Sequence, residues 1–204
     1  MSVGLRAVLA SALAGIAGAA ILWQATDGLS AFTAESARRA EVLRSPRTLP
    51  TARLQDQDGA FFSLDDYRGR LLAVEFIYTR CETVCLSLGA AFRQIHDRVP
   101  PQALGRDFAL LSLSFDPEHD QPAQLRDYAR RFGADGRHWR VARVPDRVAL
   151  DALLGRFGVV VIPDRRGGFE HNAALHLIDR EGRLARISDP EDVQGFVASV
   201  EALR

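Results

Sequence analysis

Residues 71–78 and 108–115 are apolar runs of strand length, the pattern of strands covered on both faces rather than one. A helical period follows each. After the first, apolar residues at 88, 91, 92, 95 and 99 recur at three- and four-residue intervals and stop at Pro100-Pro101, which predicts a crossover helix over 86–99. After the second, Asp116-Pro117 ends the strand, and a helix is expected over about 121–132, closed by Gly133. Strand, helix, strand, helix in this order implies a parallel pair joined by a crossover.

The flanks read as hairpins. Residues 54–64 form two short strands around Asp58-Gly59, and 65–69 a short turn or helix. A weak strand at 141–144 precedes a helix over 146–157 with Asp146 as its cap. The strand 173–178 turns at Asp179-Arg180-Glu181-Gly182 into 183–187, and a final helix is expected over 190–203, starting at Pro190. An opening hairpin, two βα units, a closing hairpin and a last helix describe an α/β protein: a thioredoxin-like sandwich with an N-terminal β-hairpin and insertions.

The start of the chain has a different pattern. One basic residue, Arg6, precedes an uncharged Ala/Leu/Ile/Gly stretch over 7–23, which reads as a transmembrane or signal helix. Its length is marginal for a bilayer core, which takes about 20 apolar residues, and long for a signal core of about 7 to 15. Trp23 followed by Gln24, Thr26 and Asp27 resembles an interfacial end, and no small-x-small cleavage site stands out, so an uncleaved anchor is the favoured reading. Residues 1–26 are thus assigned to the anchor or signal, 27–50 to a polar, partly helical tether, and 51–204 to one exported domain.

The 26 basic and 26 acidic residues cancel, which gives no electrostatic reason to propose nucleic acid as a partner. All 26 basic residues are arginine, so a Schiff-base lysine or a phosphate-loop lysine is excluded.

Chemistry concentrates at Cys81 and Cys85, the only two cysteines, directly after the first apolar strand. On a helix, i and i+4 share a face, so the two sulfurs could meet one soft metal ion or each other. A structural disulfide closing so small a loop would stabilise little. Two thiolates are too few for a complete tetrahedral zinc site, so a third ligand is needed. His171, in a flexible polar loop ahead of the strand 173–178, is the candidate. His96 reads as a helix-surface residue, His119 as a loop or cap residue and His138 as structural, and His176 falls on the opposite strand face. Arg80 and a helix start would favour thiolate, and Asp116 at the end of the next strand is a nearby polar group or simply a turn residue.

Three blocks taken together, Phe76-Ile77-Tyr78-Thr79-Arg80-Cys81-x-x-x-Cys85, then Ser112 to Asp120 with Asp116-Pro117-Glu118-His119-Asp120, and Glu170-His171-Asn172 ahead of Leu175 to Gly182, resemble the Sco/SenC family over about residues 50–200. The resemblance implies a thioredoxin-fold copper chaperone on the periplasmic side of the bacterial inner membrane, N-terminally anchored or released by cleavage. Its implied metal ligands are Cys81, Cys85 and His171, its cargo copper as Cu(I) or also Cu(II), and its partner the copper-bearing subunit of cytochrome c oxidase or another copper protein. Glu82 and Leu86 depart from the proline that the family usually carries after each cysteine. The alternatives are a thiol-disulfide oxidoreductase cycling Cys81 and Cys85 to reduce the acceptor's cysteines, and a copper or redox sensor. A reductase of this fold would ordinarily have a two-residue spacer and a proline where His171-Asn172 stands. No output domain for a sensor is visible, and a peroxidase would need a further, resolving cysteine.

Overall fold

The computed structural model describes residues 3–25, 33–81 and 84–204, with the backbone alone at 3, 5–9, 25, 84 and 85. Two compact units divide it, residues 1–44 and 45–204. In the first, helix α1 spans Val3–Ala25 and α2 spans Ala34–Arg44. Thr33 and Ser36 exchange backbone-to-hydroxyl bonds of 3.0 and 3.1 Å at the start of α2, and Glu35 pairs with Arg38 and Arg39 one turn on. Among the described residues no helix is long and apolar enough to cross a membrane.

The second unit is a mixed α/β fold. Its strands are β1 (Arg47–Thr48), β2 (Arg53–Asp56), β3 (Phe61–Ser63), β4 (Leu71–Ile77), β5 (Phe108–Ser114), β6 (Trp139–Arg143), β7 (Val161–Pro163), β8 (Phe169–His171), β9 (Leu175–Ile178) and β10 (Arg183–Ser188). Its helices are α3 (Val84–Arg98), α4 (Pro122–Phe132), α5 (Arg147–Phe157) and α6 (Val193–Leu203). Eight strands form one sheet in the order β1-β10-β9-β4-β5-β6-β2-β3, and β7 and β8 form a separate two-stranded ribbon. The parallel pairs β4/β5 and β5/β6 carry the expected crossovers.

All seven residues of β4 and all seven of β5 are buried, because helices cover both faces of the sheet. On one face Leu88, Phe92 and Ile95 of α3 and Phe196 and Val200 of α6, each 0% exposed, pack on Leu71, Ala73 and Leu110. Each such side chain contributes about 1.5–3 kcal/mol by leaving water. On the other face Phe157 of α5 stacks edge-on against Phe76 and His176, at 5.0 and 5.1 Å between ring centroids.

The turn signals match their elements. Gly59 turns β2 into β3 at φ 83°, Gly133 closes α4 at φ 81°, and Asp146 caps α5 by accepting the N–H of Ala149 at 2.9 Å. Three segments differ from expectation. Helix α6 starts at Val193, capped by Asp192, and not at Pro190. Arg47 and Thr48, within the stretch read as tether, pair with Arg183 and Leu184 of β10. The polar loop ahead of β9 holds β8, which pairs with β7 at the end of the apolar run 159–162; each strand is only three residues long, too short for alternation to be read.

Candidate functional site

The site is built around the end of β4. The chain leaves the sheet after Ile77, and Tyr78 accepts the N–H of Cys81 through its carbonyl at 3.2 Å, which folds Thr79 and Arg80 into a turn. Cys81 sits in that turn, 6% exposed, before α3 begins. The two cysteines lie at the strand-to-helix junction, as expected from the sequence: Cys85 is the second residue of α3 and Cys81 precedes the helix. The turn that carries Cys81 is tied down from outside. Glu82, Thr83 and the side chain of Cys85 lie outside the described residues.

What ties the turn is the loop after β5. Asp120, 0% exposed, accepts the Thr79 N–H at 3.0 Å and the Thr79 hydroxyl at 2.6 Å, and also the Ser114 hydroxyl at 2.5 Å. Burial pushes its carboxyl up from the ordinary aspartate range, against the pull of the Ser114 and Thr79 bonds. Asp116, 8% exposed in its side chain, accepts a charge-assisted bond from Arg80 at 2.8 Å and lies 3.1 Å from His119 Nδ1. The Asp116-Pro117-Glu118-His119-Asp120 segment thus grips both residues ahead of Cys81. Sequence reasoning singled out Asp116 and passed over Asp120. The available signal was the second carboxylate four residues on, in a loop that the chain-order argument already brought beside β4.

His171 ends β8. The ribbon turns at Asp164, whose carboxylate accepts the N–H groups of Arg166 at 2.7 Å and Gly168 at 2.9 Å, with Arg165 at φ 61°. Asn172 fixes its base, accepting the Val160 N–H at 2.7 Å and donating to the carbonyl of Gly158, the left-handed residue closing α5, at 3.0 Å. Tyr78, Phe115 and Phe169 form an aromatic cluster with centroids 5.3 to 5.6 Å apart, and the His171 ring meets Phe115 at 5.0 Å. Burial holds the His171 pKa below the usual imidazole value, opposed by a backbone bond at Asn172. Neutral imidazole is the form with a lone pair to give to a metal.

Cys81 and His171 therefore reach the same residue, Tyr78, from two sides: Cys81 through the backbone, and His171 through the strand it terminates. Among the described residues no group of three or more His, Cys, Asp or Glu side chains is placed to hold a metal ion. His176 is 1% exposed, between Phe76 and Phe157, with Nδ1 3.2 Å from the Val74 carbonyl. His96 and His138 lie away from the turn, beside Asp97 and Asp135.

A second buried polar group lies deeper in β4, within the run read as apolar. Glu75 is 0% exposed and its Oε1 accepts from the Ser112 hydroxyl at 2.5 Å and the Tyr128 hydroxyl at 3.3 Å. Trp139 donates its indole N–H to Ser112 at 2.9 Å, while Glu75 Oε2 has no hydrogen-bond partner among the described residues. Burial pushes the Glu75 pKa up to about 8, against those two hydrogen bonds, so the carboxyl is largely protonated at neutral pH.

Comparison with known proteins bears on the fold and the family. The chain is 25% identical over 134 residues to the SCO1 protein homolog of Bacillus subtilis (strain 168), covering 65% of this chain and 68% of that one. Two solved structures share the fold. One is a SCO1/SenC family lipoprotein from Bacillus anthracis str. Ames, with TM-score 0.71 and 23% identity over 79% of this chain and 98% of that one. The other is Bradyrhizobium japonicum ScoI with copper bound, with TM-score 0.61 and 22% identity over 77% and 99%. The sequence model of the family described as SCO1/SenC matches residues 44–202, which takes in the whole sheet, the cysteine turn and the histidine ribbon, and the chain belongs to that family.

Proposed function

We propose that the protein is a copper chaperone that carries copper on Cys81, Cys85 and His171 and passes it to the binuclear copper site of cytochrome c oxidase. The observation that carries this reading is the meeting of two segments at Tyr78: the turn holding Cys81 and the strand ending in His171. Family membership and the copper bound in the Bradyrhizobium relative support the choice of metal. The donor set is chemically suited to it, since two thiolates and a neutral imidazole favour Cu(I) over harder ions. Three ligands leave the ion open to a fourth from an acceptor, which permits transfer by ligand exchange. The aromatic cluster beside His171 keeps water off one side of such a site.

Helix α1 is proposed as the anchor that holds the domain at the periplasmic face of the inner membrane. The uncharged stretch over 7–23 after Arg6 supports this reading, as does the description of the Bacillus anthracis relative as a lipoprotein.

The test is metal analysis of the anaerobically purified protein with thiol counting. One copper per chain is expected for the wild type, with loss of stoichiometric copper in His171→Ala, Cys81→Ala and Cys85→Ala. Copper content and spectrum unchanged in His171→Ala remove His171 from the site. Disulfide reduction that survives His171→Ala but not Cys81→Ala, in a protein that holds no copper, replaces the chaperone reading with the thiol-disulfide oxidoreductase.

A further inference from the structure

Among the described residues the ribbon β7/β8 has no strand partner in the main sheet, and an isolated two-stranded hairpin is marginally stable at best. Its register shows which of its backbone groups need outside partners. Asp164 donates its N–H to the Gly168 carbonyl at 3.0 Å, which makes Asp164/Gly168 a hydrogen-bonded pair. In an antiparallel ladder the pairs alternate, so the next, Pro163/Phe169, is a non-bonded pair, and both the N–H and the C=O of Phe169 point away from β7.

Both groups meet one atom. The Tyr78 hydroxyl donates to the Phe169 carbonyl at 3.2 Å and accepts from the Phe169 N–H at 3.4 Å. A hydroxyl can do both at once, which a ring carbon cannot. The same residue's carbonyl accepts the Cys81 N–H at 3.2 Å. Gly168 leaves the room this contact needs, since a Cβ there would stand 3.3 Å from the Tyr78 hydroxyl and 2.7 Å from Asp164 Oδ2.

We propose that Tyr78 is a positioning residue whose hydroxyl latches the histidine ribbon to the cysteine turn, so that displacement at one side is felt at the other. The proposal rests on the copper-site reading, because it gives the latch the task of keeping His171 in reach of the thiol turn. The part of Tyr78 is to hold the ribbon against the turn, with its hydroxyl bonded to the Phe169 backbone.

The experiment compares the full chain as wild type, His171→Ala, Tyr78→Phe and Gly168→Ala. Cu(I) affinity is measured by chelator competition, nitrogen coupling by electron paramagnetic resonance of the Cu(II) form, and ribbon opening by amide exchange at Phe169. Tyr78→Phe keeps the ring in the aromatic cluster, so the urea midpoint should stay close to wild type. Its exchange at Phe169 should quicken about tenfold, the loss of roughly one net hydrogen bond. Its copper affinity should fall toward that of His171→Ala with weakened nitrogen coupling, and Gly168→Ala should do the same from the ribbon side. Equal copper affinity in wild type and His171→Ala overturns the copper-site reading itself. A wild type that exceeds His171→Ala while Tyr78→Phe equals wild type in affinity and nitrogen coupling overturns the latch, whatever the exchange rates.

Discussion

A carboxylate that accepts three hydrogen bonds out of reach of solvent cannot be truncated without stranding its donors, and Asp120 is such a group. Asp120→Ala leaves the Thr79 N–H, the Thr79 hydroxyl and the Ser114 hydroxyl to find new partners, at a cost of about 2–4 kcal/mol read by urea denaturation. A loss under about 0.5 kcal/mol would mean that the turn before Cys81 is held by something other than this carboxylate. Glu75 gives the opposite kind of prediction. Its folded pKa of about 8 lies above the ordinary value of 4.5, so the native state holds a proton that the unfolded chain releases. The stability from this group is full below pH 4.5 and is lost as pH rises through about 8. Within that window the unfolding free energy should fall with a slope of up to about 1.4 kcal/mol per pH unit from this group. Glu75→Gln should flatten the slope and be more stable than wild type above pH 8, measured by urea unfolding from pH 5 to 9. Of these two carboxyls only the aspartate lay in a segment that the sequence reading brought to the site. Glu75 was absorbed into an apolar run, because one acid among seven buried positions does not disturb the pattern that marks a covered strand.

Among the elements, the ribbon β7/β8 separates what pattern can reveal from what it cannot. The strands β4 and β5 are readable as continuous apolar runs because both faces are covered, and the helices α3, α4 and α5 because each buries an apolar face at helical period. The ribbon buries little: Ile162 is 57% exposed, and Glu170 on the facing strand is exposed too, and with three residues in each strand neither shows an alternation that marks it. What makes it a ribbon is a set of side-chain to backbone bonds, from Asp164 at the tip and Asn172 at the base, and such bonds have no period. His171 was nevertheless found, since its place ahead of β9 follows from chain order alone. Asn172→Ala removes the acceptor for Val160 N–H and the donor to Gly158, and should release the base of the ribbon from the end of α5. Amide exchange at Val160 should rise about tenfold or more with little change in the global urea midpoint. Unchanged exchange there would show that packing against Phe115 holds the base without Asn172.

At the scale of the whole molecule the boundary between tether and domain matters most, because it decides which fragment folds. The drop from polar, Arg-rich sequence to alternating sequence puts that boundary near residue 51, while the compact unit begins at Ser45 and the family match at residue 44. The difference is β1, two residues long and far below the length at which alternation can be read. Arg47 and Thr48 nonetheless cover the outer edge of β10, pairing with Leu184 and Arg183. Without them the open edge of β10 extends over Arg183 and Leu184 as well, and the longer edge is freer to pair with another chain. A fragment of residues 45–204 should fold as a monomer, whereas one of 51–204 should lose about 1–2 kcal/mol and associate as its concentration rises, read by urea midpoint and size-exclusion chromatography. Because β10 pairs with β9, and β9 with β4, the loss should reach the strand that ends at the cysteine turn, so the shorter fragment should also show faster amide exchange in β9. Two fragments with equal midpoints and equal elution would mean that the sheet is complete without β1 and that the domain begins where the alternation does.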